Sequence, residues 1–148
     1  RRDERNPLIV GVEPLDANCI QVSAEAGDIT AVPGPHKSIM VGLNCGTPSL
    51  IAWPLVSKGV DWFTAVDDEA ARTAMRDLAS IGIVAGETGA ASLAGLEALL
   101  ASDEWSAEGR DLSAATVLIV VTEGATDPDA YEAITGRPPE AIGRVMTA

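Results

Sequence analysis

Three glutamates in this sequence stand where a side chain could contact a ligand. Glu13, Glu87 and Glu123 each come at the carboxyl end of a short apolar run that we predict to be a strand. In parallel α/β sheets, ligands bind at the carboxyl ends of the strands, because loops and helix N-termini converge there. These carboxylates are therefore candidates for contact with a polar ligand. The alternative is that they solvate the sheet edge or lie near helix N-termini, and the pattern alone leaves both interpretations open.

A cluster of acidic residues, Glu123, Asp127 and Asp129, has the oxygen ligands that a divalent cation prefers. Asp127 precedes Pro128, however, and an Asp-Pro pair is typical of the N-cap and first position of a helix. Capping explains Asp127 more simply, so we predict no metal at this cluster.

The two cysteines, Cys19 and Cys45, are far apart in sequence, have no CxxC spacing and have only one histidine, His36, to join them. This pattern indicates neither a zinc site nor a disulfide framework. We expect reduced thiols in a cytoplasmic protein.

Short apolar or β-branched runs alternate with longer alanine-rich segments of helical period. This alternation is typical of an α/β fold with mainly parallel strands, and we predict a single unit built as a three-layer sandwich. The predicted strands are residues 7–13, 61–66, 81–85 and 116–121. The predicted helices are residues 16–27, 68–80, 90–101 and 128–134, with further helix from residue 39 and after residue 48. Residues 28–38, rich in Pro and Gly, are predicted to be a loop.

Two of these segments carry more specific expectations. Asp67 is predicted to cap the helix at 68–80, and Arg72 is predicted to pair with Asp68 one turn away. Residues 116–121 (TVLIVV) have no polar face, so we expect a central strand covered by helices on both sides.

The composition limits the possible partners. Ten basic and twenty-two acidic residues among 148 give a net charge of −12, which repels nucleic-acid backbones. The longest apolar runs are far shorter than the roughly 20 residues that span a bilayer, and no signal-peptide core is visible. We therefore expect a cytoplasmic protein with neither nucleic acid nor membrane as a partner. Because the sequence opens with Arg1 and a polar run, we also expect a fragment or a processed chain.

Four segments stand out when they are taken in order: VEPLDANC (12–19), SIMVGLNCGTPS (38–49), AGETGAASLAGL (85–96) and VVTEGATDPDAY (120–131). Together they resemble consecutive blocks of the fold type II enzymes, the tryptophan-synthase-β-like superfamily that depends on pyridoxal phosphate (PLP). Within it, LNCG and TEGATDPD are most similar to the carboxyl-terminal portion of diaminopropionate ammonia-lyases. Threonine and serine dehydratases are more distant. The resemblance covers residues 7–131.

The resemblance implies PLP as cofactor and three residues that bind it. Thr122 matches the Ser or Thr whose hydroxyl meets the pyridine nitrogen, and Glu87 resembles a glutamate beside the cofactor ring. Gly42 matches a glycine whose missing side chain lets the backbone come near the cofactor. The block around it departs from the dehydratases, because Val41 replaces their aspartate. The alternative is that Thr122 is an ordinary β-branched strand residue and that Gly42 is needed only for helix packing, and the sequence leaves this alternative open.

Other parts of the implied site are missing. Relatives hold PLP on a lysine in their amino-terminal half and cradle its phosphate in a glycine-rich loop, whereas Lys37 and Lys58 lie outside every matching block. Some relatives bind a divalent metal through the glutamate of the VEP block and an aspartate six residues later. Here the second position is Cys19, so we predict no metal beside Glu13. We assign no catalytic residue and expect the isolated chain to bind PLP weakly or not at all.

The implied function is that of a lyase that takes ammonia from 2,3-diaminopropionate and gives pyruvate, with a homodimer expected. Two alternatives stay open. One is a threonine or serine dehydratase or a threonine-synthase-like enzyme, and the other is a non-catalytic α/β module that binds a small ligand or a partner.

Overall fold

Two parallel strands, β1 (Val10–Pro14) and β2 (Trp62–Val66), form the centre of the fold. In the computed structural model, which describes residues 7–110 and 112–142, Val10 lies opposite Trp62 and Pro14 opposite Val66. Both segments are rich in β-branched or aromatic residues, which suit a pleated surface. The predicted parallel pairing is confirmed.

Seven α-helices surround these strands in the described residues. Four of them confirm predicted helices, with boundaries that differ by at most three residues: α1 (Cys19–Ala26), α3 (Asp68–Ser80), α4 (Glu87–Ala101) and α6 (Pro128–Thr135). The helices expected after residues 39 and 48 are a short 3-10 helix (Val41–Leu43) and α2 (Trp53–Gly59). Two further helices, α5 (Asp103–Ala107) and α7 (Pro139–Ile142), were not predicted. Among the residues described, no helix combines the length and hydropathy needed to cross a membrane.

The sheet separates two layers of helices. A Cβ on Gly95 of α4 would stand 2.2 Å from Val12 Cγ2, so Val12 faces α4. The next residue, Glu13, accepts hydrogen bonds from Ile20 and Gln21 of α1. Because successive strand residues point to opposite faces, α1 and α4 cover opposite faces of the sheet. This arrangement agrees with the predicted three-layer sandwich.

The core lies between α3 and α4. Small residues such as Ala74 and Ala91 let the two helices approach closely, and Met75, Leu78 and Tyr131 fill the space around them, all buried. Asp67 caps α3 as predicted, since its side chain accepts a hydrogen bond from the Ala70 amide at 2.8 Å.

The predicted strand at 81–85 is wrong, because its first residues are used to end α3. Gly82 has a φ of +86°, and its amide donates to Ala79 while the Ile83 amide donates to Leu78. These two bonds form a Schellman motif, which satisfies the last carbonyls of the helix. The glycine that looked like part of a strand therefore stops a helix.

The predicted central strand at 116–121 is also wrong, in pairing and in burial. The segment belongs to no sheet within the described part of the chain. Most of its side chains are exposed rather than covered, with Leu118 at 85%, and only Ile119 is half-buried against the core. The segment lies along α4, where Ser92 Oγ donates to the Val120 carbonyl at 3.2 Å, and β1 pairs with β2 instead. An apolar run becomes a strand only when another strand lies beside it.

Candidate functional site

The start of α4 packs directly on the backbone of residues 123 and 124. The Gly86 amide donates to the Glu123 carbonyl at 3.1 Å. A Cβ on Gly89 would stand 2.1 Å from that same oxygen, and one on Gly86 would stand 2.3 Å from the Gly124 carbonyl oxygen. Both glycines are therefore needed for this close approach. The contact joins the third and fourth of the four sequence blocks.

The second block reaches the same place through the turn Val41–Leu43. The Gly42 amide donates to Thr88 Oγ1 at 3.1 Å. A Cβ on Gly42 would stand 3.0 Å from Thr88 Cγ2, so the Thr88 side chain fills the space in front of the glycine. Thr88 was not among the predicted site residues. Its place between two glycines in the segment Gly86-Glu87-Thr88-Gly89 was the available sign that it packs closely.

A network of polar groups fixes the beginning of the second block. Ser38 Oγ donates to Asp68 Oδ1 at 2.7 Å, and the Ile39 amide donates to the same oxygen at 3.1 Å. Asn44 Nδ2 donates to the Ser38 carbonyl at 2.8 Å. Asp68 is therefore engaged with this segment, and the predicted Asp68–Arg72 pair is wrong. Arg72 lies beside Glu69 instead, at 3.4 Å.

The three predicted cofactor residues flank these contacts. Glu87 is the first residue of α4 and is half-buried, Thr122 is exposed and immediately precedes Glu123, and Gly42 is the donor to Thr88. Chain folding thus brings their immediate neighbours together from three separate blocks. Neither of two surface cavities, of about 450 and 260 Å³, is lined by any of these three residues.

Glu13 has a different role. It is half-buried, and its two carboxylate oxygens accept hydrogen bonds from the Ile20 and Gln21 amides at 2.9 and 2.8 Å. It therefore satisfies free amides at the start of α1. Burial raises the pKa of Glu13, and the two amide bonds oppose that rise. Of the two interpretations of the glutamates at strand ends, contact with a ligand or a place near a helix N-terminus, the second holds for Glu13.

The two cysteines meet in space although they are 26 positions apart. The buried Cys19 thiol lies near Cys45, and both thiols are free. Burial first, and then the nearby Glu13 carboxylate, raise the pKa of Cys19 to about 12. The Cys19 thiol is therefore protonated and unreactive at neutral pH.

The acidic cluster after residue 122 is explained by helix capping and local contacts. Asp127 accepts from the Ala130 amide at 3.0 Å, and Glu123 Oε1 accepts from Thr126 Oγ1 at 2.8 Å. Residues 7–110 and 112–142 contain no group of three His, Cys, Asp or Glu side chains that could hold a metal ion.

Comparison with known proteins agrees with this arrangement of blocks. The family described as "Pyridoxal-phosphate dependent enzyme" matches residues 1–123. The chain therefore belongs to the family of pyridoxal-phosphate-dependent enzymes. Its solved structural neighbours are fold type II enzymes of the α/β class.

The chain is also similar to individual enzymes whose sequences or structures are known. The chain is 34% identical to diaminopropionate ammonia-lyase of Salmonella typhimurium, over 90% of this chain and 36% of the relative. The Escherichia coli diaminopropionate ammonia-lyase in complex with D-serine matches with a TM-score of 0.69 at 30% identity, covering 85% of this chain and 33% of that one. Maize serine racemase matches with a TM-score of 0.70 at 26% identity, covering 83% of this chain and 36% of that one. The chain thus spans about a third of the length of these relatives.

The residues present fit one side of the cofactor that the family uses. The Thr122 hydroxyl is exposed and has no hydrogen-bond partner among the described residues, so it can meet a ring nitrogen. Lys37 and Lys58 are exposed as well, but neither lies in the blocks that meet around α4. The chain's own residues therefore fit contact with the ring and leave the covalent anchor unassigned.

Proposed function

We propose that this chain is the carboxyl-terminal part of a diaminopropionate ammonia-lyase, an enzyme that converts 2,3-diaminopropionate to pyruvate and ammonia. One observation carries the proposal. Three of the four segments that carry the resemblance meet in space, through the Gly42–Thr88 and Gly86–Glu123 hydrogen bonds, and two of them contain the LNCG and TEGATDPD motifs most similar to this enzyme group. The 34% identity to the Salmonella enzyme supports the choice of substrate.

Thr122 is the residue that tunes the chemistry in this proposal. When bound, PLP withdraws electrons from the α-carbon of an amino-acid substrate. A neutral hydroxyl at the ring nitrogen leaves that withdrawal weaker than a carboxylate would, because it does not hold the nitrogen protonated. Thr122 therefore favours rapid loss of the β-amino group over prolonged carbanion chemistry.

Glu87 and Gly42 shape the pocket wall. Glu87 lies in the first turn of α4, where the positive end of the helix dipole stabilises a carboxylate. Gly42 lies on the turn that packs against Thr88, and the backbone of this turn faces the ring in the proposed site. We assign no proton transfer to residues of this chain and propose no catalytic residue in it.

Activity of the full-length enzyme tests the proposal. We expect pyruvate and ammonia from 2,3-diaminopropionate, with pyruvate measured by coupling to lactate dehydrogenase. Replacing Thr122 with Val leaves the ring nitrogen unpaired and should lower turnover roughly tenfold. Thr122→Asp should slow elimination and change the cofactor's absorbance spectrum. Faster turnover of threonine or serine would favour the dehydratase alternative, and unchanged turnover and spectrum in both variants would remove Thr122 from the site.

A second experiment distinguishes an enzyme from a non-catalytic module. The native reading frame should encode, upstream of residue 7, a lysine and a glycine-rich loop that match the amino-terminal half of the relatives. The isolated chain should bind PLP weakly or not at all in an absorbance titration. A stable adduct on Lys37 or Lys58 after borohydride reduction would show that the active lysine has been misplaced.

We further propose that the enzyme is a cytoplasmic homodimer that acts on a small amino acid. The exposed apolar side chains of Val117, Leu118, Val120 and Val121 support self-association, because such surfaces tend to be covered by a partner.

A further inference from the structure

The 3-10 turn Val41–Leu43 is held to α4 by one polar contact. Three amides of this region bond within their own segment: Val41 to the Ile39 carbonyl, Leu43 to the Met40 carbonyl and Asn44 to the Val41 carbonyl. The Gly42 amide instead bonds outside the turn, and its acceptor is Thr88 Oγ1 at 3.1 Å. This hydrogen bond therefore joins the turn to the start of α4, while the Ser38 and Ile39 bonds to Asp68 fix the segment that precedes it.

Shape and hydrogen bonding act together at this contact. The Thr88 methyl group would lie 3.0 Å from a Cβ on Gly42, and its hydroxyl oxygen would lie 3.2 Å away. Gly42 has no left-handed backbone conformation that would require glycine. The missing side chain at position 42 is therefore explained by the close approach of Thr88, and open space for a ligand is not needed to explain it.

The place of Thr88 in α4 lets its side chain hold the turn at Gly42 in a fixed position relative to the helix. It is the second residue of α4, directly after Glu87, and a β-branched side chain in a helix has few χ1 rotamers. The N-cap of α4 is Gly86, which has no side chain to cap the helix. The start of α4 is held from one side by the Glu123 carbonyl and from the other by the turn that bonds to Thr88.

We propose that Thr88 is a positioning residue, whose hydroxyl accepts from the Gly42 amide, sets the turn at Gly42 against the start of α4 and so fixes the distance between that turn and Glu87. The role of this contact in cofactor binding rests on the proposed function. The contact itself does not, because it is made wholly by residues of this chain.

Amide hydrogen exchange tests the contact without cofactor. In the unsubstituted chain, the Gly42 amide should exchange at least about threefold more slowly than an unstructured glycine amide. Thr88→Val keeps the shape and removes the acceptor, so it should speed exchange at Gly42 roughly 3- to 10-fold. Thr88→Ser keeps the acceptor and should leave the exchange rate near that of the unsubstituted chain. The Gly86 amide, which bonds to Glu123 instead, serves as the internal control in all three proteins.

Either of two results would refute the Gly42–Thr88 hydrogen bond. One is a Gly42 amide that exchanges at the unstructured rate in the unsubstituted chain, and the other is an equal exchange rate of this amide in the Val and Ser variants. The unsubstituted chain alone gives the first result, so a variant that fails to fold does not prevent the test.

Cofactor affinity of the full-length enzyme tests the positioning role. Thr88→Val should weaken PLP binding at least about threefold, and Thr88→Ser should restore it. Wild-type affinity in Thr88→Val, together with a released Gly42 amide, would refute the positioning role while leaving the contact intact. An enzyme that binds no PLP in any form would refute the proposed function, and the Gly42 exchange rates would still decide whether the contact exists.

Discussion

The close approach of α4 to residues 123 and 124 predicts a large effect for a single methyl group at Gly89. An alanine Cβ would stand 2.1 Å from the Glu123 carbonyl oxygen and 3.0 Å from its carbonyl carbon, against 3.4 Å or more for ordinary contact. The two backbones must therefore separate by about 1.3 Å. Such a shift lengthens the Gly86–Glu123 hydrogen bond, now 3.1 Å, beyond bonding distance.

The energy of this change follows from three contributions. Overpacking costs about 1–3 kcal/mol, and the lost hydrogen bond costs about 0.5–1.5 kcal/mol. Alanine is the better helix former, which returns up to about 1 kcal/mol. We expect Gly89→Ala to lower the free energy of unfolding by about 2 kcal/mol, or the melting midpoint by roughly 4–8 °C.

Gly124→Ala is the matched control, because it adds the same methyl group on the other side of the same contact. Nothing lies within 4 Å of its Cβ, and its φ is not left-handed, so the free energy of unfolding should change by less than about 1 kcal/mol. Urea unfolding followed by tryptophan fluorescence measures both variants. Equal stability of Gly89→Ala and the unsubstituted chain, or equal losses in the two variants, would refute the close contact.

Three further predictions concern other parts of the chain. Burial raises the folded-state pKa of Glu13 above its ordinary value of 4.5, so the folded state binds a proton more tightly than the unfolded state, and stability falls as the pH rises from 4.5 through that raised pKa. Unfolding free energies at several pH values should show the chain losing stability relative to Glu13→Gln over this window. The exposed Cys45 should react with iodoacetamide at pH 8, whereas Cys19 should not, because it is buried and has a pKa of about 12. Mass spectrometry after quenching should find one modified thiol in the native chain and two in urea. The apolar residues at 117–121 should make the isolated chain dimerise or form larger species, and Leu118→Lys should reduce this; light scattering that shows a monomer at high concentration for the unsubstituted chain would contradict the prediction.

Local sequence signals predicted the elements whose stability is local. Asp67 and Asp127 each precede a helix and cap it through a hydrogen bond three residues ahead, so a few neighbouring residues contain the whole explanation. The apolar run at 116–121 failed as a prediction for the opposite reason. Whether it is a strand depends on a partner strand, which no local pattern contains.

In the candidate site, too, contacts between residues far apart in sequence were not predicted. The resemblance brought attention to Gly42, Glu87 and Thr122, and the packed structure places their neighbours against one another. Thr88 was missed because its importance comes from a residue 46 positions away, the Gly42 amide. Glu13 could not be distinguished from a ligand-facing glutamate by sequence, since only the folded chain shows that its oxygens are bonded to the start of α1.

The glycines explain why sequence blocks and site geometry coincide. Gly42, Gly86 and Gly89 lie on two different blocks, and each would place a Cβ against Thr88 or against the backbone of residues 123 and 124. Backbone segments can approach this closely only where no side chain intervenes, so the contact constrains residue type at several positions at once. The segments that carry the resemblance are therefore, in this chain, segments that pack against one another at the start of α4.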